Sequence, residues 1–291
     1  MKKNFIGLAF VIVVISFLGI TVNLIKQKDD IKQIIEFDSM LKGTGAIEAK
    51  SVVIDGVPCI LSYIDNYEKR PVMIVQHGLT SKKEDLKDLA VTYAKEGYLA
   101  ISIDAAAHGE LKNKEIWTIP KMIQETSRNF DTILSFCLRS DYVDTKRIGM
   151  TGVSLGGLAI LHYMANGSFN PKMAIVICAT PDFSDLAQAP IKNRCVKNGE
   201  YFEEKDEIAI EAIEKELRQI SPFDSVLQDE DTLLYLLCGA EDEVVPYEGN
   251  VRLVNEKNSE GDIVIRIKEG QGHSVTEDDL WEILSYVVAH L

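Results

Sequence analysis

Beyond about residue 50, short runs of consecutive apolar residues alternate with longer stretches in which apolar residues recur every three or four positions. Ser51 to Ile54 and Pro58 to Ile64 flank Asp55-Gly56, a pair favoured in two-residue turns, and predict an opening hairpin. Val72 to Val75, Tyr98 to Ile103, Arg147 to Thr151, Met173 to Cys178, Thr232 to Cys238 and Asp262 to Ile267 are the further strand-like runs. Between them, Lys82 to Glu96 places Leu86, Leu89, Ala90, Tyr93 and Ala94 at helical spacing and stops at Gly97, a natural helix terminator. Helices are also expected from about Lys121 to Leu138, from Ser154 onward, from Pro246 to Asn255 and from Glu277 to His290. Strands apolar on both faces and separated by helices predict an α/β fold with a mostly parallel sheet covered on both sides.

The rhythm changes between Pro181 and Gln228. A stretch containing Pro and Asn precedes a charged amphipathic helix expected around Glu203 to Ile220, with Ile208, Ile213, Leu217 and Ile220 recurring along it. This segment is expected to be an insertion forming a small lid. No internal repeat or low-complexity tract is present.

Ahead of the alternating region, no charged residue occurs between Lys3 and Lys26. As a helix, Phe5 to Ile25 would span roughly 30 Å at about 1.5 Å per residue, which matches one bilayer crossing. A cleaved signal peptide is the alternative, but its apolar core is usually shorter, and only Gly19-Ile20-Thr21 comes near a small-x-small cleavage site. The expectation is therefore an uncleaved single-pass anchor over 1–28, a connector over 29–50 broken at Gly43 and Gly45, and one folded domain over 51–291. Basic residues flank both ends of the apolar stretch, so they barely determine orientation. An extracytoplasmic domain is slightly favoured, although five thiols sit awkwardly there.

The composition narrows the function further. The net charge of −14, from 45 acidic and 31 basic residues, opposes binding to polyanions, so no nucleic-acid partner is expected. Cys59, Cys137, Cys178, Cys195 and Cys238 form no CxxC pair and no cysteine-histidine cluster at zinc-ligand spacing, so neither a structural zinc nor a disulfide framework is expected. Cys137, Cys178 and Cys238 fall within apolar runs and are expected to be buried thiols.

The sharpest chemical signal is Gly152-Val153-Ser154-Leu155-Gly156, followed by Gly157, placed between a strand and a helix. A tight strand-to-helix turn holds a serine hydroxyl out of the sheet edge, and bulky neighbours would collide with the turning chain. A serine hydroxyl needs a base to take its proton, and that base needs a carboxylate to orient it. His273, in the loop Gly270-Gln271-Gly272-His273 after the last strand, is the expected base. Asp242, which follows the strand ending at Cys238, is the expected acid, with Asp182 and Glu241 as rivals. The N–H groups of Leu155 and of Leu79, in His77-Gly78-Leu79, are expected to form the oxyanion hole. His77 is expected to pack beneath its loop. Asp104 and His108, in Asp104-Ala105-Ala106-Ala107-His108-Gly109, are expected to pair and stabilise that loop. His162 and His290 are assigned no role.

With these motifs in place, the chain resembles the α/β-hydrolase superfamily, and within it the dienelactone-hydrolase and prolyl-oligopeptidase-like esterases and peptidases. The likeness runs from Val52 to Leu291 and is carried by QHG, DAAAHG, GVSLGG, GAEDEVVP and GQGH. It implies an eight-stranded, mostly parallel sheet and acyl transfer through an acyl-serine without a cofactor. Dienelactone hydrolases carry a cysteine where this chain has Ser154, so their chemistry is not implied. The expected activity is hydrolysis of a small carboxylic ester. The rivals are a peptidase acting on small peptides and a non-catalytic protein that uses the pocket to hold a ligand.

Overall fold

In the computed structural model, which describes residues 26, 29–30, 32–41, 45–66, 68–257 and 262–291, the apolar runs become strands, and the strands of the described residues are three to eleven residues long. The strands are β1 (Ile47–Ile54), β2 (Val57–Ile64), β3 (Arg70–Gln76), β4 (Leu99–Ile103), β5 (Ile116–Thr118), β6 (Val143–Val153), β7 (Met173–Ile177), β8 (Arg194–Lys197), β9 (Glu200–Glu203), β10 (Leu233–Gly239) and β11 (Ile263–Lys268). The helices are α1 (residues 32–40), α2 (Lys87–Lys95), α3 (Ile119–Cys137), α4 (Leu155–Asn166), α5 (Phe183–Leu186), α6 (Glu207–Gln219), α7 (Phe223–Gln228), α8 (Glu248–Lys257) and α9 (Glu277–His290). The stretch expected to anchor the chain lies outside the described residues, among which no helix is long and apolar enough to cross a membrane.

Eight strands form one sheet in the order β1-β2-β4-β3-β6-β7-β10-β11. β1, β2 and β4 pair antiparallel in turn, and all neighbours from β4 to β11 run parallel. β3, β4, β6 and β7 are largely or wholly buried, as strands covered on both faces must be. One apolar layer joins the sheet to α3 and α4 through Phe130, Ile133, Leu158 and Tyr163. The opposite layer joins it to α2 and α9 through Tyr93, Ile283 and Val287. The chain order reverses between β4-β3 and β6, and at such a switch point the loops beyond the strand ends separate and leave a crevice for a ligand.

Three expectations change. Residues 32–41 are not a bare connector: Phe37 and Leu41 are buried in the core, and Phe37 meets Phe136 edge to face at 5.2 Å. The Arg70 guanidinium donates to the Leu41 carbonyl at 2.9 Å, and the Tyr63 hydroxyl donates to that of Met40 at 2.8 Å. β1 starts at Ile47 rather than Ser51, and as an edge strand it alternates between more exposed and less exposed positions instead of being apolar on both faces.

The inserted segment also differs from expectation. Glu203 closes β9, and the helix begins only after Asp206, whose carboxylate accepts from the Ala209 N–H at 2.9 Å and caps α6. Ile213 and Leu217 are buried, but Ile208 is 79% exposed and does not share their face. β8 and β9 form a hairpin that pairs with β5, so a second sheet of three strands ties the insertion to the segment after β4.

Candidate active site

Ser154 sits alone between the end of β6 and the start of α4, with φ 53° and ψ −116°, a conformation that L-residues rarely adopt. Its N–H donates to the Ile177 carbonyl at 2.8 Å, which ties the turn to the neighbouring strand. The glycines around it are steric necessities. A Cβ on Gly152 would come within 2.6 Å of the Gly156 carbonyl carbon, and one on Gly156 within 2.5 Å of the Gln76 carbonyl oxygen. Leu155 opens α4, so its N–H is one of the first-turn donors that lack an intrahelical acceptor.

His273 lies in the loop between β11 and α9, and that loop is pinned from two sides. The Glu241 N–H donates to the Gln271 carbonyl at 3.0 Å, and Gly239 lies so close that any side chain there would overlap the Gln271 and Gly272 carbonyls. On the other side, Gln271 Nε2 donates to the Ser274 carbonyl at 2.7 Å and to Asp279 Oδ2 at 3.0 Å. Asp279 also completes a capping box with Thr276 at the start of α9.

These loops bring three side chains together. The Ser154 hydroxyl donates to His273 Nε2 at 2.9 Å, and His273 Nδ1–H donates to Asp242 Oδ2 at 2.7 Å. The other oxygen of Asp242 accepts from the Val244 and Val245 N–H groups, both at 2.9 Å. Burial alone would raise the Asp242 pKa, but the His273 bond and the two backbone donors outweigh it and hold the carboxyl below its usual range. Ser154 is 6% exposed, whereas the His273 side chain is 23% exposed and forms the open side of the arrangement. The rival acids are elsewhere. Asp182 caps α5 by accepting from the Ser184 N–H at 2.8 Å and pairs with Arg252, and the Glu241 side chain is exposed.

The loop after β3 approaches from the opposite side, where a Cβ on Gly78 would lie 3.4 Å from that of Ser154. This places Gly78, the residue before Leu79, against the serine turn. His77 Nδ1–H donates to the Gly78 carbonyl at 2.7 Å, and its Nε2 accepts from the Ala105 N–H at 2.9 Å in the loop after β4. His108 does the reverse: its Nδ1–H donates to the Ala106 carbonyl at 2.8 Å, and its Nε2 accepts weakly from the Thr80 N–H at 3.4 Å. Each imidazole therefore anchors its own loop and reaches into the other.

The comparisons with known proteins agree with this architecture. The model of the prolyl oligopeptidase family matches residues 92–286, well over half of the chain. The chain belongs to the prolyl oligopeptidase family. YitV of Bacillus subtilis (strain 168), a candidate esterase, is 24% identical over 211 residues, 69% of this chain and 80% of YitV. The acetyl xylan esterase of Paenibacillus sp. R4 superposes with a TM-score of 0.62 at 14% identity, covering 89% of this chain and 93% of its own. Oligopeptidase B of Leishmania major gives 0.62 at 15% identity, over 84% of this chain but 35% of its own. The fold is that of the α/β-hydrolases, and the protein is a serine hydrolase of esterase or peptidase type.

In this member of the prolyl oligopeptidase family, the expected Asp104–His108 pair does not form. Asp104 is fully buried and accepts instead from the Lys83 N–H at 3.0 Å, from Lys83 Nζ at 2.9 Å and from the Glu110 N–H at 3.0 Å. Lys83 is 1% exposed and also meets Glu110 at 2.6 Å. It escaped notice in the sequence because a lysine in a run of charges looks like a solvated helix face. Gly109, at φ +49°, has no room for a side chain because the Asp104 carboxylate fills that space. Asp279 was hidden in the same way, within an acidic helix start. His162 and His290, on α4 and at the end of α9, take no part in this arrangement. All five cysteines are free and buried, and Cys178 lies beside His273.

Proposed function

We propose that the protein hydrolyses carboxylic esters, with Ser154 as nucleophile, His273 as general base and acid, and Asp242 as the group that orients and charges the imidazole. The observation that carries this reading is the unbroken hydrogen-bond chain from the Ser154 hydroxyl through His273 to Asp242, at 2.9 and 2.7 Å.

The steps follow from that chain. Ser154 Oγ attacks the ester carbonyl while its proton passes to Nε2, and the imidazolium that forms faces an ionised carboxylate. The carbonyl oxygen becomes an oxyanion, for which the Leu155 and Leu79 N–H groups are the proposed donors, aided by the positive end of α4. Nε2 returns the proton to the leaving alcohol, which departs and leaves an acyl-serine. Water then repeats the sequence, releasing the acid and restoring Ser154.

The ester reading is supported by the likeness to two proteins named as esterases, YitV and the acetyl xylan esterase, of which this chain covers 80% and 93%. The segment 181–228 is proposed as the lid that shapes the acyl or alcohol pocket, and the apolar stretch before Lys26 as a membrane tether.

A fluorophosphonate probe tests the nucleophile: it should label the protein, and Ser154→Ala should abolish both labelling and turnover. Short-chain nitrophenyl esters set against amino-acid nitroanilides test the substrate class, and faster cleavage of the anilides would favour the peptidase. Extraction of membranes at alkaline pH tests the tether, since an anchored enzyme stays in the pellet.

A further inference from the structure

Cys178 is the first residue beyond β7 and has φ +51°. Its N–H is held by the Leu237 carbonyl at 2.8 Å, and its thiol donates to the Ser274 carbonyl at 3.3 Å, next to His273. One ligand atom from each of Cys178, Asp242 and His273 lies within 4.8 Å of the other two. Ester hydrolysis through Ser154 requires no thiol there. Sulfur, imidazole nitrogen and carboxylate oxygen together form a donor set suited to zinc and similar soft divalent cations.

We propose that such a cation binds across Cys178, His273 and Asp242 and reversibly switches the hydrolase off. The proposal rests on His273 being the general base. The residues lie 64 and 31 positions apart along the chain, from Cys178 to Asp242 and from Asp242 to His273, so ligand spacing in the sequence could not have revealed the site.

The geometry needs only local adjustment. Zinc bonds of about 2.0–2.3 Å place tetrahedral ligands about 3.3–3.7 Å apart, so no separation needs to shrink by more than about 1.5 Å, while Nδ1 of His273 and Oδ2 of Asp242, now 2.7 Å apart, must part by roughly half an ångström. The cation reaches the site from the exposed side of His273, and water takes the fourth position. On binding, the Cys178 S–H bond breaks, its proton goes to solvent and the sulfur lone pair forms the metal bond. The Nδ1 proton of His273 moves to Nε2, and the Nδ1 lone pair binds the metal. Nε2 then carries a hydrogen and can no longer accept the proton of Ser154. One cation enters and one proton leaves.

The test compares the wild-type protein with Cys178→Ala after chelator treatment, using a short-chain nitrophenyl ester and added zinc chloride. Wild-type activity should fall at least tenfold at micromolar free zinc and return on adding chelator, while magnesium should have no effect. Cys178→Ala should need at least tenfold more zinc for the same loss. On the same proteins, cadmium chloride should produce a thiolate-to-metal ultraviolet band in the wild type that is missing from Cys178→Ala. Equal zinc sensitivity in the two proteins, or no wild-type cadmium band above that of Cys178→Ala, would overturn the site. Fluorophosphonate labelling without metal separates the two readings: its absence counts against Ser154 and His273 as catalytic groups, while the cadmium band still decides the metal site.

Discussion

The imidazoles of His77 and His108 meet edge to face with ring centroids 5.4 Å apart, and each bridges the loops that follow β3 and β4. Both are held in the neutral tautomer by their partners, because Nδ1–H is donated to a carbonyl and Nε2 accepts from an N–H. Burial lowers the affinity of both for a second proton, moving His77 from its ordinary 6.5 to about 4.

Stability should therefore fall in mild acid. The folded-state pKa of His77 is depressed, so below about 6.5 the unfolded chain binds a proton that the folded chain refuses, and unfolding gains until pH reaches about 4. At ~1.4 kcal/mol per unit, His77 alone accounts for a loss on the order of 3 kcal/mol across that window. Urea titrations at stepped pH should show it, with a shallower decline in His77→Asn.

Asp242→Asn should lower kcat by about 10⁴-fold with little change in stability, because the amide would stabilise the wrong imidazole tautomer. Asp182→Asn should leave kcat near the wild-type value, since that carboxylate is engaged by Ser184 and Arg252. Steady-state kinetics on one ester would decide between the two, and the opposite pattern would move the acid to Asp182.

Two glycine substitutions should fail in different ways. Gly109→Ala drives a methyl into the buried Asp104 carboxylate at a positive φ, and thermal melts should show destabilisation of at least about 2 kcal/mol. Gly239→Ala pushes on the Gln271 and Gly272 carbonyls and so displaces the loop of His273. Kinetics should show a loss of about 10²-fold in kcat, larger than its effect on stability would explain.

Lys83→Met should be among the most damaging single changes, because it leaves the buried Asp104 carboxylate with its two backbone donors but without its cation, at a cost of about 3–5 kcal/mol. Adding Asp104→Leu should recover part of that loss. Denaturation of the two single variants and the double variant completes the cycle.

The sequence disclosed what short-range patterns encode. The strands β3, β4, β6, β7, β10 and β11 announced themselves as apolar runs, and the glycines around Ser154 marked a turn whose steric demands are local. Residues whose roles depend on distant partners were less visible. Lys83 and Asp279 carry charges that usually face water, and only tertiary contact with Asp104 and Gln271 explains their burial. Asp104 and His108, close in sequence, were expected to find each other, but the competing loop after β3 offered both of them better partners. α1 was missed because four apolar residues, Ile34, Phe37, Met40 and Leu41, are a faint helical signal that packing makes decisive.

The position of β11 has a consequence for how the enzyme fails. β11 ends the large sheet with β10 as its single neighbour there, whereas β6, which delivers Ser154, lies between β3 and β7. Fraying begins where a strand has one partner, so warming should loosen the segment bearing the imidazole while the serine turn is still intact. Heat would then silence turnover at temperatures where most amide protons in the middle of the molecule remain shielded from exchange, and cooling would restore it.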